Sequence, residues 1–511
     1  MISREDTWHG RYGVTPGYGI SLQDGFEDTF TASATAALEM GSFPYAKGVI
    51  DNWLSFYVRD NGMTTYRAEE LAQAGRMLTI FAMYVEMTGD DALLLKHWKK
   101  AKALATWLKY RWELSLTQFP STDPRHGIPP GGDEGDGFIA IFAGFPGSHD
   151  GNANQLSHKY SCAGGIYRGF RDIGLMWTQL GARAKRPDIV AHGKDLLTIA
   201  PKLRAAIQTS IAKTTKKVIV HGKPFTCIPN GADPKKVLSP PTDPNAVCTD
   251  GGGRSYPELF YSGVLTKEQA NGIYETLTTS NGSYVTRPIT LGCAGYNNKQ
   301  VTFWSYGLAY GLLQHDMVER FLLHYFAMSA HTYTRGSQTT PEAVHPDRDV
   351  ASTDYVAAGV VTASTYLKWM LVYEEPDNRT VWLGKAIPRD WLHYETAQPI
   401  VVKNATTRYG RVSYTLTPKS SSGGAGMSVH ASVTLPSTYA AGASSAPAGG
   451  LKLRIRVPLP FAGKLKSVTV GGVPWPHIDP KEETIVFTPQ SLTQATMSGL
   501  ANIVATFGVA S

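Results

Sequence analysis

Apolar residues recur at three- and four-residue spacing from Thr29 onward, and the runs break at short turns. Ala34 to Met40 and Phe43 to Val58 form one pair of helical runs joined at Gly41-Ser42. Glu69 to Met87 follows, with Leu71, Met77, Leu78, Phe81, Ala82 and Val85 on one broad face. It stops at Gly89 and the pattern resumes from Ala92 to Leu114. Tyr160 to Leu180 and Asp188 to Ala212 make a third pair, turning around Gly181. Tyr256 to Ser262 with Lys267 to Thr278, and Phe303 to Leu313 with Met317 to His331, continue the series, and Asp354 to Tyr373 supplies an eleventh helix. Such a succession of hairpins predicts an (α/α)6 toroid, one helix short of twelve.

The connections between pairs are unequal. Asn61 to Tyr66 is modest, Thr117 to Lys159 is long and rich in Gly and Pro, and Thr214 to Arg254 is long and polar. A hairpin returns the chain to the end from which it started, so these connections share one rim with the segment before Thr29. Asn281 to Thr302 and Thr332 to Thr353 join that rim only if Tyr256 to Ser262 is a helix. Without that helix, Glu342 falls on the opposite end.

After Glu375-Pro376-Asp377 the period changes to that of strands, at Thr380 to Leu383, Ile400 to Val402 and Val412 to Leu416. Leu451, Leu453, Ile455 and Val457 alternate with Lys452, Arg454 and Arg456, the signature of a half-buried strand. The expected architecture is therefore an (α/α)6 barrel over residues 1–375 and an antiparallel β-sandwich over residues 376–511. Ser420 to Ala425 and Ala440 to Gly450 are expected to be loops of the second domain.

A chain of 511 residues suits two domains. Lys and Arg outnumber Asp and Glu by 49 to 42 without basic runs, which argues against a nucleic-acid partner and suits an anionic substrate such as a uronate-containing glycan only weakly. No apolar run approaches the roughly 20 residues of a membrane span, and Met1 to Gly10 lacks the apolar stretch of a signal peptide. The chain reads as soluble, either mature or truncated. Its four cysteines form no C-x-x-C pair, so a metal held through sulfur is not expected, and the reading calls for no cofactor. Cys227 and Cys248 flank a Pro-rich loop that a disulfide would close, and the sequence leaves bridged and reduced states equally open. Cys162 reads as a packed thiol. Sequons occur at Asn281, Asn378 and Asn404, but such tripeptides are common by chance, and the compartment stays open, with an extracellular or periplasmic location favoured.

The long connections carry acids. Gly131 to Gly137 holds Asp133, Glu134 and Asp136; Thr339-Thr340-Pro341-Glu342 lies far along the chain; Asp24, Glu27 and Asp28 precede the first helical run. Two carboxyl groups held about 6.5–9.5 Å apart support inverting glycoside hydrolysis, whereas a retaining pair sits near 5 Å. Three neighbouring acids raise one another's pKa, which favours a proton donor among Asp133, Glu134 and Asp136. The same loop also reads as a hydrated turn or a cation-binding bend, and Glu27 and Asp28 as acids favouring a helix N-terminus.

A series of helical hairpins followed by β-strands, with Thr-Thr-Pro-Glu near the end of the helical part, resembles the six-hairpin glycoside hydrolases. Trp369 to Asp377, Leu383 to Trp391 and Arg408 to Val412 look like their barrel-to-sandwich junction. In α-L-rhamnosidase-like members a Thr-Thr-x-x-Glu type motif carries the general base, and the resemblance implies that role for Glu342, which here follows Thr339-Thr340 after the single residue Pro341. The Asp- and Arg-rich motif that holds their general acid has no counterpart of matching spacing in Leu22 to Thr29, and their N-terminal β-sandwich has none either. The general acid is thus one of Glu134, Asp133, Asp136, Asp28 and Glu27, with Glu134 preferred.

Sugar rings require flat apolar surfaces and hydrogen-bonding groups. Trp304, Tyr306, Tyr66, Arg67, Asp24, His158 and His345 are the candidates for substrate binding, although aromatic residues in helices commonly serve as core. The resulting expectation is a glycosidase acting on a poly- or oligosaccharide without a cofactor. Two rivals stand beside it. A polysaccharide lyase would use Asn152, His158, Tyr160 and Arg168 to abstract a proton beside a uronate, and a non-catalytic glycan-binding protein would need no acid pair.

Overall fold

The computed structural model describes residues 8–10, 13–15, 27–64, 70–131, 158–220, 223–232, 255–278, 289–290, 293–296, 299–302, 305–345, 350–352, 356–395, 398–420, 426–443 and 446–508. An N-terminal helical region is followed by antiparallel β-sheets. The chain divides into two compact units. One comprises Met1–Ala37, Ser42–His315 and Leu323–Ala363; the other comprises Leu38–Gly41, Asp316–Leu322 and Ser364–Ser511.

The helices come in hairpins. Helices α1 (Glu27–Met40) and α2 (Phe43–Asn52) form the first, with a π-helical turn at Trp53–Tyr57. Helix α3 (Leu71–Thr88) is followed by α4 (Asp91–Lys96) and α5 (Trp98–Gln118), with Gly89 taking the left-handed conformation at φ 70° that closes α3. The next pairs are α6 (Tyr160–Arg183) with α7 (Pro187–Thr214), α8 (Ser255–Ser262) with α9 (Lys267–Thr278), and α10 (Ser305–Gln314) with α11 (Val318–His331). The last helical stretch is α12 (Ala357–Val360) with α13 (Thr362–Leu371). Ser255–Ser262 is thus helical, so residues 332–356, like residues 119–159, follow the second helix of a hairpin.

Three elements differ from the sequence expectation. Gly181 lies inside α6 and the turn falls at Lys185 (φ 53°); the glycine serves the close approach of the returning helix, since a Cβ there would meet Val190 at 2.8 Å. The final helix stops at Leu371, and Val372–Glu374 pairs as a strand with Val381–Leu383, so sheet pairing overrides the helical period there. Short strands also interrupt the helical unit. Two-stranded pairs form from Trp8–Gly10 with Gly13–Thr15 and from Lys216–Val220 with Lys223–Cys227. A five-stranded sheet runs in the order Ile289–Thr290, Cys293–Tyr296, Lys299–Val301, Ala343–Val344 and Val350–Ser352. Strands of two to five residues carry too little alternation to be seen in the sequence.

Glycines bring the first helices of successive hairpins into backbone contact. A Cβ on Gly75 of α3 would sit 2.2 Å from the Gly165 carbonyl of α6, and one on Gly169 would sit 2.4 Å from the Gly75 oxygen. Gly164 meets Ser262 of α8, and Gly307 and Gly311 of α10 meet Pro257 and Phe260 of α8. On the other side of α3, the Thr31 hydroxyl of α1 donates to Gln73 Oε1 at 2.9 Å. Gly75→Ala is expected to cost about 1–3 kcal/mol through overpacking against backbone that cannot yield. Gly48→Ala in α2, where a Cβ would meet nothing within 4 Å, is expected to stabilise by up to about 1 kcal/mol. Urea unfolding of the two variants checks the contrast.

Cys162 is a buried thiol in α6. Cys227 is buried and disulfide-bonded, and Cys248 lies outside the described residues. Among the described residues no helix is long and apolar enough to cross a membrane.

In the second unit, a five-stranded sheet has the order Val372–Glu374, Val381–Leu383, Leu451–Arg454, Thr484–Phe487, Ile478–Asp479. A six-stranded sheet has the order Ile400–Thr407, Gly410–Ser420, Gly426–Thr434, Ile503–Gly508, Leu465–Val470, Val473–Pro474. All pairings are antiparallel except that of Val381–Leu383 with Leu451–Arg454. One hydrophobic core draws on both sheets, with Leu383, Leu453 and Phe487 from the first and Tyr414, Val429 and Phe507 from the second.

The strand at Leu451–Arg454 is covered on both faces. Arg454 and Arg456 are buried, Arg454 donating to both oxygens of Asp316 at 2.6 and 2.9 Å and Arg456 donating to Glu319 at 2.6 Å. Paired carboxylates permit what simple alternation excludes. Beside them Lys385 Nζ stands 3.8 Å from the Trp382 ring centre, and burial pulls its pKa from 10.5 down to about 8. Between pH 8 and 10.5 the unfolded chain therefore binds this proton and the folded chain does not, so stability rises with pH across that window, by about 3 kcal/mol in total. Lys385→Met is expected to flatten that rise, as read from urea unfolding at pH 7.5 and 9.5.

Candidate active site

Residues of α3, α6, α8 and α10 hold a buried polar cluster. Arg76 Nη2 donates to Glu258 Oε2 at 2.8 Å and Gln73 Nε2 donates to Glu258 Oε1 at 3.1 Å. Both partners of the ion pair are nearly inaccessible, with side chains 3% and 7% exposed. Arg76 also lies over the rings of Tyr261 and Tyr306, at 4.4 and 4.6 Å from their centres. Arg168 lies over the same Tyr261 ring at 3.6 Å and over Tyr310 at 4.6 Å, and it donates to the Tyr261 carbonyl oxygen. The Tyr261 ring also touches those of Tyr306 and Tyr310, with centres 5.8 and 5.2 Å apart, so the two cations and three rings of α3, α6, α8 and α10 form one packed group. Two guanidinium ions thus share the Tyr261 ring, and the ring quadrupole offsets part of their lost hydration. Burial works against the Arg168 charge, and Tyr261, Tyr310 and Asp172 more than restore it, leaving its pKa raised.

Glu342 is half-buried and directly precedes the strand Ala343–Val344. That strand pairs with Lys299–Val301 in the register Val301↔Ala343 and Gln300↔Val344. An antiparallel continuation by one residue sets Glu342 opposite Thr302, which leads into α10. The Thr302 carbonyl accepts from the Ser305 amide at 3.2 Å, and the Thr302 and Thr340 hydroxyls are bonded to each other at 2.8 Å. The connection carrying Glu342 is thereby fastened at the same helix end from which Tyr306 reaches the polar cluster.

The other sequence candidates are placed as follows. Tyr306 is buried with a guanidinium over its ring. His158 is buried, edge-on to Phe119 with ring centres 5.0 Å apart, and its carbonyl accepts from the Ala232 amide at 2.8 Å. His345 is half-buried just beyond the strand that follows Glu342. Glu27 and Asp28 form the first turn of α1. Asp24, Tyr66, Arg67, Asp133, Glu134, Asp136 and Trp304 lie outside the described residues.

Gln73, Arg76 and Glu258 were not singled out from the sequence. Their signal was present: Gln73 and Arg76 are polar residues at i and i+3 on a helix whose positions from Leu71 to Val85 are all buried. A helix apolar on every other face that keeps two polar groups on one stripe must satisfy them internally.

No family model matches the chain, and no match emerges from comparison with curated proteins. Among solved structures, a glycosidase is similar at 13% identity with a TM-score of 0.43, covering 72% of this chain and 93% of that one. An α-L-rhamnosidase from Dictyoglumus thermophilum is similar at 11% identity with a TM-score of 0.45, covering 97% of this chain and 46% of that one. A sialidase is similar at 11% identity with a TM-score of 0.41, covering 72% of this chain and 32% of that one.

Proposed function

We propose that this chain is a glycoside hydrolase that cleaves a glycosidic bond in a poly- or oligosaccharide by a two-carboxylate mechanism with inversion. Its helical unit is read as a six-hairpin toroid of α-L-rhamnosidase-like type, a reading supported by the successive packing of α1, α3, α6, α8 and α10. The second unit is read as a β-sandwich, supported by the core common to its two sheets.

In this reading Glu342 takes a proton from water as the oxygen of that water bonds to the anomeric carbon. The bond from that carbon to the leaving oxygen breaks, and a protonated carboxyl supplies the leaving oxygen with its proton. Glu134 is assigned as that acid, with Asp133, Asp136, Asp28 and Glu27 as its competitors. Asp24, Tyr66, Arg67, His158, Trp304 and His345 are assigned to sugar binding, and the Arg76–Glu258 cluster forms the floor.

The observation that carries this reading is the fastening of the Glu342 connection, through Thr302, to the end of α10 from which Tyr306 reaches the polar cluster. A lyase would draw on Tyr160 and Arg168, and both are committed elsewhere. Tyr160 bonds to Ser210 at 3.0 Å and Thr214 at 2.7 Å, and burial pushes its phenol up to about 12, the wrong direction for a base.

A panel of plant and algal glycans and aryl glycosides tests the reading, with new reducing ends and ultraviolet absorbance followed together. A hydrolase produces reducing ends without absorbance, whereas a lyase creates an absorbing double bond. If every glycan stays intact while one binds tightly, the chain is a binding protein and not an enzyme.

A further inference from the structure

We infer that Thr302 is a positioning residue for Glu342, acting through a hydroxyl relay that fixes the peptide unit entering the carboxylate; the inference rests on the proposed role of Glu342 as base. The Thr340 hydroxyl donates to the Pro341 carbonyl oxygen at 3.2 Å. A hydroxyl has one proton to give, so with that proton spent the 2.8 Å contact between Thr302 and Thr340 runs from the Thr302 hydroxyl to Thr340 Oγ1. The chain of donors is then Thr302 to Thr340 to Pro341, and the Pro341 carbonyl belongs to the peptide that begins Glu342.

Three further contacts make the relay rigid. Thr302 and Thr340 are 2% and 0% exposed, so water does not compete for the hydroxyls. The Thr340 carbonyl accepts from the Val356 amide at 3.0 Å. Gly359 leaves room for Thr340 and nothing more, since a Cβ there would lie 2.5 Å from Thr340 Cγ2. On its other side Thr302 is held through its carbonyl by Ser305, at the first turn of α10. Thr302 stands 40 residues before Glu342 in sequence and meets it through the Val301↔Ala343 register. A general base must sit within hydrogen-bond reach of its water, and a shift of about 1 Å costs on the order of a hundredfold in rate. Losing the relay should therefore lower turnover and leave substrate affinity in place.

The test compares Thr302→Val, Thr302→Ser and Glu342→Gln with the parent chain on the glycosides of the panel. Thr302→Val keeps shape and removes the donor, and its kcat is expected to fall about tenfold to a hundredfold with KM within about twofold. Thr302→Ser restores the hydroxyl and most of the kcat. A purely structural role would instead move KM, kcat and melting temperature together, and serine would not rescue selectively. If Glu342→Gln is inactive while Thr302→Val turns over like the parent, or loses kcat and KM together without rescue by serine, the relay is overturned and the base assignment stands. If Glu342→Gln is as active as the parent, or the parent cleaves nothing, the base assignment falls and the relay falls with it.

Discussion

Arg76→Met is expected to destabilise the helical unit by about 3–5 kcal/mol, because it leaves the Glu258 carboxylate buried without its cation. Glu258 is 6% exposed, and after the substitution the neutral Gln73 amide still donates to it but supplies no charge. The loss extends beyond the pair, since the Arg76 guanidinium also packs against the Tyr261 and Tyr306 rings. Glu258→Gln alone is also expected to destabilise, since its single amide oxygen can accept from Arg76 or from Gln73 but not from both, and the Arg76 guanidinium is left buried without its anion. The double variant Arg76→Met with Glu258→Gln should recover part of the loss, because no buried charge is then unpaired. Urea unfolding of the four chains gives the coupling directly. Equal and additive losses would mean that the two groups are solvated and that the cluster is not the closed network described above.

The hairpin series was legible because each helix repeats its apolar spacing over at least two turns and each turn is marked by Gly or a polar pair. The short α8 was the least secure element, yet it is the one that fixes the parity of Glu342. Its buried positions run from Ser255 to Ser262 without a polar face, so periodicity alone could not separate it from a strand. The sheet that fastens Glu342 was not legible at all. Its strands at Ala343–Val344 and Lys299–Val301 are two and three residues long, and their pairing spans more than forty residues of sequence. The same limit hid the cluster at Glu258, whose partners Gln73 and Arg76 lie 185 and 182 residues away. Arg454 and Arg456 misled in the opposite direction. Alternation assigned them to solvent, and the carboxylates of Asp316 and Glu319, 138 and 137 residues distant, cover them instead.

Glu342→Gln bears on the central claim most directly. The amide keeps the size of the carboxyl and its ability to accept a hydrogen bond, but it cannot take a proton from water. On any glycoside the parent cleaves, kcat is expected to fall about 10²–10⁴-fold with little change in KM or melting temperature. Azide, which attacks the anomeric carbon without losing a proton, should restore turnover and yield a glycosyl azide of inverted configuration. A Glu342→Gln chain that turns over the same glycoside at the parent's rate would contradict the account.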